Sequence, residues 1–294
     1  MPPMNLGTFI LGLFFMYGAN AQTSTEPTAS PTTSSSQKEN AGLQAQVMLD
    51  RAHFAVGEID GNSGSTTKAA VKHFQESRGL PITGELDQAT LAALDDGQPV
   101  LKSYTLTESD VGGTFGAKPN YANKMEKLGE IFQSSPKLLQ KLNPNASFTA
   151  GESIQVPAVG VPLTTKIAKI VVTVSKKSLM AYDAVGNLIA YYPTTLGDDE
   201  SIPYGEHTIK SATKNPYYRR VLPGGKIRAM NGGPNNYVGN MWMALSEKHY
   251  GIHGSPEPSK IAKQQSAGCI RLTNWDANEV AAAIEKNAAV SVQE

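Results

Sequence analysis

Two short stretches decide how this chain is read: Tyr250-Gly251-Ile252-His253-Gly254-Ser255 and, eleven residues further on, Ser266-Ala267-Gly268-Cys269-Ile270-Arg271-Leu272. Tyr250, Gly251 and Ile252 favour a strand, and glycines on either side of His253 let backbone come close to a ligand. Gly268 leaves space before the sulfur of Cys269, which is the one cysteine of the chain and so has no intrachain disulfide partner. In an exported chain an odd thiol calls for an intermolecular bridge or a reactive group. The thiolate is the nucleophile, and an unperturbed thiol titrating near about 8.5 is mostly protonated at neutral pH, so a reactive cysteine needs a partner such as histidine. Of five histidines, His253 has the setting for that role. Backbone N–H groups beside a nucleophile commonly form an oxyanion hole, which makes Gly268, Gly254, Ser255 and Ser266 the candidates for oxyanion or substrate contacts. Arg271 adds positive charge two residues on; its fork of donors suits a substrate or oxyanion contact and a structural ion pair equally well.

Outward from these stretches the pattern is one of strands. Ile167, Ile170 to Val172 and Val174 form a β-branched run; Leu179–Tyr182 and Leu188–Tyr192 form two more. Lys176-Lys177 and Gly186-Asn187 are the turns of an antiparallel meander. The Gly/Pro/Asn-rich segment Asn215–Gly239 reads as a loop, and one of that length is usually functional. Thr273 or Asn274 caps a helix running to about Glu285, and Val290–Val292 closes the domain as a strand.

Towards the N-terminus the composition changes three times. Residues 1–21 hold a twelve-residue apolar run, Leu6–Tyr17, followed by Ala19-Asn20-Ala21, which fits a cleavable signal peptide and leaves no membrane span once cleaved. Uncleaved, it would act as a weak anchor. Residues 22–40 are Ser, Thr and Pro with scarcely an apolar side chain and read as a flexible linker. Residues 41–96 read as three helices: Leu43, Val47 and Phe54 on the first, Val71 and Phe74 on a second capped by Thr66 or Thr67 and ended by Gly79, and Leu86, Leu91 and Leu94 on the third. Residues 103–158 read as a short strand at Tyr104–Thr107, helices around Met125–Phe132 and Pro136–Leu142, and a strand at Ser153–Val156.

Composition limits the class. With 294 residues, 40% hydrophobic and 18% charged, the chain is too apolar to be wholly disordered. Its 26 Lys and Arg balance 26 Asp and Glu, so the broad positive field of a nucleic-acid or anionic-membrane binder is missing and no nucleic-acid partner is expected.

His253-Gly254, followed sixteen residues after the histidine by Cys269 within Ser266-x-Gly268-Cys269-x-Arg271-Leu272, resembles the signature of L,D-transpeptidases of the YkuD type. The likeness spans roughly Lys166 to Val292 and takes in Pro203-x-Gly205 and Pro234-Asn235-Asn236-Tyr237-Val238-Gly239. Many members carry histidine where this chain has Ala267, which leaves His253 as the one histidine of the motif. Asp60-Gly61, Gly64, Thr67, Ala70-Val71, Phe74-Gln75, Gly79-Leu80, Gly84, Thr90 and Leu94 together resemble the three-helix peptidoglycan-binding domain. Leu138-Leu139, Leu142 to Pro144 and Gly151 to Pro157 are similar to the latter half of a LysM domain.

These resemblances imply a multidomain α+β protein: a small three-helix wall-binding domain, a small α/β LysM-like unit, and a mainly β, sandwich-like catalytic domain at residues 166–293. They imply an exported enzyme of the periplasm or cell wall, acting in peptidoglycan biosynthesis and cell shape, with Cys269 as nucleophile and His253 as its base. A backbone carbonyl at Gly254 or Ser255 would orient the imidazole. Substrates would be peptidoglycan stem peptides and glycan, with a wall-attached lipoprotein as a further acceptor and carbapenems as inhibitors; no cofactor or metal is needed. N-terminal units would be modules joined by linkers and independent of the thiolate. Two rivals stand beside this reading. His249, His253 and Cys269 could form a zinc set of a wall hydrolase, against which a strand at Tyr250–Ile252 would hold the two histidines about 13 Å apart. A catalytically inactive wall-binding protein is the other, against which Cys269, His253 and Arg271 are all retained.

Overall fold

The computed structural model describes residues 32–197, 201–263 and 268–294. The expected signal peptide at 1–21 and the candidate Ser266 lie outside the described residues. Among the described residues no helix is long and apolar enough to cross a membrane.

The expected three-helix unit is present as α1 (Thr32–Arg51), α2 (Ser65–Ser77) and α3 (Gln88–Leu94). Leu43, Val47, Phe54, Val71, Phe74 and Leu94 meet in its core. Of the linker expected over 22–40, residues 22–31 lie outside the described residues, and 32–40 need correction because α1 already begins at Thr32. A helix nucleated downstream by Leu43 and Val47 extends backwards without a second nucleation cost. The cap of α2 is Gly64 with no side-chain bond, and Thr67 is buried inside the helix instead. Buried Gln75 pins the turn after α2, its amide donating to Thr90 Oγ1 at 2.8 Å and its carbonyl accepting Gly84 N–H at 2.9 Å.

The next unit pairs β1 (Leu101–Thr105) antiparallel with β2 (Ser153–Pro157) and packs α4 (Glu108–Val111), α5 (Lys124–Ile131) and α6 (Pro136–Leu142) beside them. Leu106, Leu128, Leu139, Ile154 and Val156 form a separate small core.

Catalytic-half strands are β3 (Ile167–Thr173), β4 (Ser178–Tyr182), β5 (Leu188–Pro193), β6 (Gly205–Lys214), β7 (Tyr218–Val221), β8 (Ile227–Met230), β9 (Met241–Leu245), β10 (Gly251–His253), β11 (Ile270–Arg271) and β12 (Ile284–Gln293). Eight of them form one sheet in the order β11-β10-β9-β6-β12-β3-β4-β5. The expected mainly β domain is present, built on one curled sheet. The curl is made at β6, whose first half pairs with β12 and whose second half pairs with β9 across a register shift between Ile209 and Ser211. The chain leaving β5 then bridges Thr195 to Arg271 of β11, so the two ends of the sheet meet. Helix α7 (Asn274–Ala283), capped by Thr273, lays Ala277, Val280 and Ala283 against this curl. The segment read as a loop, Asn215–Gly239, contains the β7–β8 hairpin.

The N-terminal units are not independent modules. His53, Phe54 and Ala55 run alongside β5: Ala55 N–H donates to Tyr191 O at 2.8 Å and Tyr191 N–H donates to His53 O at 3.0 Å. Tyr191 and Met180 from the sheet share a core with Phe54 and Phe74, and His73 stacks on Tyr191 with ring centroids 4.6 Å apart. Glu279 of α7 ties the arrangement together, bonding His53 Nδ1 at 2.9 Å, Tyr192 OH at 3.0 Å and Leu163 N–H at 2.9 Å. Two apolar surfaces that are completed only by each other should unfold together. Phe54→Ala is therefore expected to cost about 3–5 kcal/mol. It should shift to the same extent the urea curve read by Trp242 and Trp275 fluorescence, which reports the catalytic half, and the curve read by helical circular dichroism. A tryptophan curve left in place by the substitution would restore independent modules.

Candidate active site

Strand β11 is two residues long, and its neighbours hold it in place. It pairs parallel with β10, Ile252 opposite Ile270 and His253 opposite Arg271. On its other side Arg271 N–H donates to Thr195 O and Thr195 N–H donates to Arg271 O, both at 2.9 Å, while Thr194 Oγ1 donates to Arg271 O at 2.9 Å. Directly paired residues share a face, so Arg271 and His253 emerge on the same side, and Cys269 lies one residue before β11. The two stretches that the sequence singles out are thus brought together by one parallel ladder.

His253 is buried, and its ring is fixed on two sides. Its Nδ1 lies 2.7 Å from Gly254 O. A carbonyl only accepts, so in the neutral ring Nδ1 carries the proton and Nε2 keeps the lone pair. Trp242 of β9 stacks on the imidazole, centroids 5.6 Å apart and planes 21° apart. Burial pushes the imidazole down to about 4, Arg271 acts in the same direction, and the carbonyls of Gly254 and Val238 oppose them. Half-buried Cys269 has its thiol pushed up by burial, against which a Gly251 backbone hydrogen bond, Arg271 and Arg220 of β7 pull. Burial thus favours the neutral form of both groups, an imidazole at His253 and a thiol at Cys269, whose Sγ lies 4.0 Å from His249 O.

The other candidates separate. Gly254 donates its N–H to Met241 O at 3.1 Å and gives its carbonyl to His253, so both backbone groups serve to orient the imidazole. Ser255 is buried and its Oγ accepts Glu257 N–H at 3.1 Å, which makes it a turn residue where an oxyanion or substrate contact was expected. Gly268 has φ +108°, and an added Cβ would sit 2.9 Å from Ser201 O, so only glycine fits ahead of the sulfur. Arg271 Nε is buried with no hydrogen-bond partner among the described residues, a donor suited to an incoming acceptor. His249 lies in the turn before β10 with φ 72°, and among the described residues no three metal-ligating side chains group together.

Three contributors were invisible in the sequence. Trp242 reaches His253 only through the antiparallel β9–β10 register, which pairs the two residues directly. Thr195 reaches β11 only through closure of the curl. Asn274, read as an alternative helix cap, is instead fully buried beneath the loop, its Oδ1 accepting Asn240 N–H at 3.1 Å.

Gly251 gives this geometry its sharpest test, since a Cβ there would meet Trp242 Cζ2 at 2.6 Å and Met243 O at 2.7 Å. Gly251→Ala should destabilise by about 1–3 kcal/mol, the usual range for overpacking, and change Trp242 fluorescence as the ring leaves His253. In the unaltered protein, alkylation of Cys269 by iodoacetamide should rise with pH to a midpoint above the ordinary thiol value; a midpoint below it would mean that an ion pair already exists at rest.

Comparison with known proteins gives the family. Residues 168–292 match the model of the YkuD L,D-transpeptidase catalytic domain, and residues 40–94 match that of a peptidoglycan-binding domain. A Bacillus licheniformis protein named as an L,D-transpeptidase, YkuD, is 31% identical over 172 residues, covering 57% of this chain and 92% of its own. Its Bacillus subtilis namesake is 32% identical over 171 residues, with the same coverage. Among solved structures, an L,D-transpeptidase from Xylanimonas cellulosilytica aligns over 86% of this chain and 92% of its own at 16% identity and a TM-score of 0.41. By its sequence relatives and its matched catalytic domain, the chain belongs to the YkuD family of L,D-transpeptidases, and it carries a peptidoglycan-binding domain ahead of the catalytic one.

Proposed function

We propose that the chain is an exported cysteine transpeptidase of the bacterial wall that works through an acyl-enzyme on Cys269. The observation that supports this reading is the parallel β10–β11 register, which pairs His253 with Arg271, two residues after Cys269. In the first half-reaction His253 Nε2 takes the thiol proton as Sγ attacks the carbonyl of meso-diaminopimelate in a tetrapeptide stem. The Sγ–C bond forms, the C–N bond to D-Ala breaks, and the imidazolium returns the proton to the departing amine. In the second, a side-chain amine of a neighbouring stem attacks the thioester, giving a 3-3 crosslink and restoring the thiol. An amine of a wall-attached lipoprotein would be acylated by the same chemistry. Because one amide replaces another, no cofactor is required. Arg271 Nε and the backbone N–H groups around Gly268 and Cys269 supply donors to the developing oxyanion or to a substrate carboxylate. The peptidoglycan-binding domain at residues 40–94 holds the enzyme on its polymeric substrate and raises the local stem concentration.

Incubation with disaccharide tetrapeptides should yield 3-3 linked dimers and D-Ala by mass spectrometry. Cys269→Ala should abolish both, and His253→Ala should slow them by roughly 10²–10⁴-fold. Dimers formed equally by Cys269→Ala would sink the mechanism, and product lost to a chelator would favour the zinc hydrolase. Carbapenems should add once per chain at Cys269, the Sγ–C bond forming as the lactam C–N bond opens; an adduct that persists in Cys269→Ser would place the nucleophile elsewhere.

A further inference from the structure

Asn274 opens α7 directly after the catalytic strand, and its amide is fully buried at the junction with the β1–β2 unit. Its Oδ1 accepts Asn240 N–H at 3.1 Å, and its Nδ2 donates to Pro234 O at 3.1 Å and to Glu130 Oε2 at 2.8 Å. Glu130 lies on α5, outside the catalytic domain, and its second oxygen accepts Asn240 Nδ2 at 3.2 Å. One carboxylate from another unit thus holds two asparagines of the catalytic domain. Asn274 packs directly on Gly254, where an added Cβ would fall 2.3 Å from Asn274 Oδ1, and Gly239 is pressed against the same two residues. Gly254 O is the acceptor that fixes His253 Nδ1. The path from Glu130 to the imidazole runs through two contacts, the Asn274 amide and the Gly254 backbone.

We propose that Glu130 is a positioning residue of the transpeptidase site, acting through Asn274 and Gly254 to hold His253, so that the β1–β2 unit completes the active site as well as preceding it in the chain. This rests on the assignment of Cys269 and His253 as nucleophile and base. The charged form is the one the geometry needs. An ionised carboxylate accepts from both asparagine amides, whereas a protonated one turns one oxygen into a donor facing a donor. Burial pushes the Glu130 carboxyl up to about 7, with the bonds from Asn274 and Tyr121 opposing and Glu126 adding to the rise. Asn240 and Asn274, which face it from the catalytic domain, are neutral. Asp50, Asp276 and Glu279 line the same cavity of about 370 Å³ at the junction, together with Tyr121. As pH rises through about 7 the carboxyl ionises and both asparagines are gripped; as pH falls, one grip is released.

The test compares the full chain with Glu130→Gln and Glu130→Ala, following carbapenem acylation of Cys269 by intact mass from pH 5.5 to 8.5. Glutamine offers one acceptor and a donor amide, so it should behave as the protonated form at every pH. Acylation should slow by roughly 10- to 100-fold, the range for a small misplacement of a catalytic group. The inflection expected near pH 7 for the unaltered protein should vanish, a change that loss of folded protein alone would not produce. Acylation by both variants at the unaltered rate, with the inflection intact, overturns the proposal. Nitrogen NMR of the His253 ring separates this from the mechanism it rests on. A protein never acylated at Cys269 refutes the cysteine mechanism; Glu130 is then upheld if Glu130→Gln shifts the Nδ1–H to Nε2–H tautomer ratio, and refuted if it leaves the ratio unchanged.

Discussion

The active site depends on a strand two residues long. Ile270 and Arg271 have too few backbone groups to hold a register alone, and they keep one because β10 lies on one side and Thr195 on the other. That second neighbour exists only because the sheet curls through β6 until the chain beyond β5 comes round to β11. Every group near the sulfur inherits its place from this closure. Gly268 swings the chain into the strand, Cys269 sits at its mouth, and Thr273 starts α7 immediately after it. A sheet whose ends meet beside Cys269 needs no long rigid element there, since rigidity is supplied by the circuit as a whole.

Electrostatics at the site follow from the same enclosure. Burial disfavours charge on both reacting groups, lowering the imidazole and raising the thiol, while Arg271 disfavours the imidazolium and favours the thiolate. The two ionisations move in opposite directions, so proton transfer in the ground state is uphill. Under the proposed mechanism, charge would develop when an electrophile is in place, close to donors already desolvated. An oxidant in the surrounding medium meets a thiol in place of a standing thiolate, which slows its destructive oxidation.

Much of this was legible in the sequence because it is written locally. The β-branched run at Ile167–Val174 and the apolar runs at Leu179–Tyr182 and Leu188–Tyr192 appear as β3, β4 and β5, and the Thr273 cap starts α7 where expected. His253 and Cys269 stood out because glycines flank them. The misses all needed information from far along the chain. The β7–β8 hairpin exposes most of both strands, so Arg219, Arg220 and Arg228 give no alternation to read. Trp242, Thr195 and Glu130 act through strand pairing or domain docking, which no window of neighbouring residues contains. Thr32 to Asn40 looked like spacer because its composition is poor in apolar residues, and composition does not register that a helix is already formed next to it.

The backbone pairing of His53 and Ala55 with Tyr191 does more than join two domains. Strand β5 ends the row of eight, and its outer side would otherwise present unpaired amides and carbonyls along an apolar stretch that includes Tyr191. Such an edge is a template for another chain. By laying three residues and an aromatic core along it, the helical unit works as a guard against self-association during and after folding. The outer amides and carbonyls of the sheet's last strand are thereby paired within the chain itself.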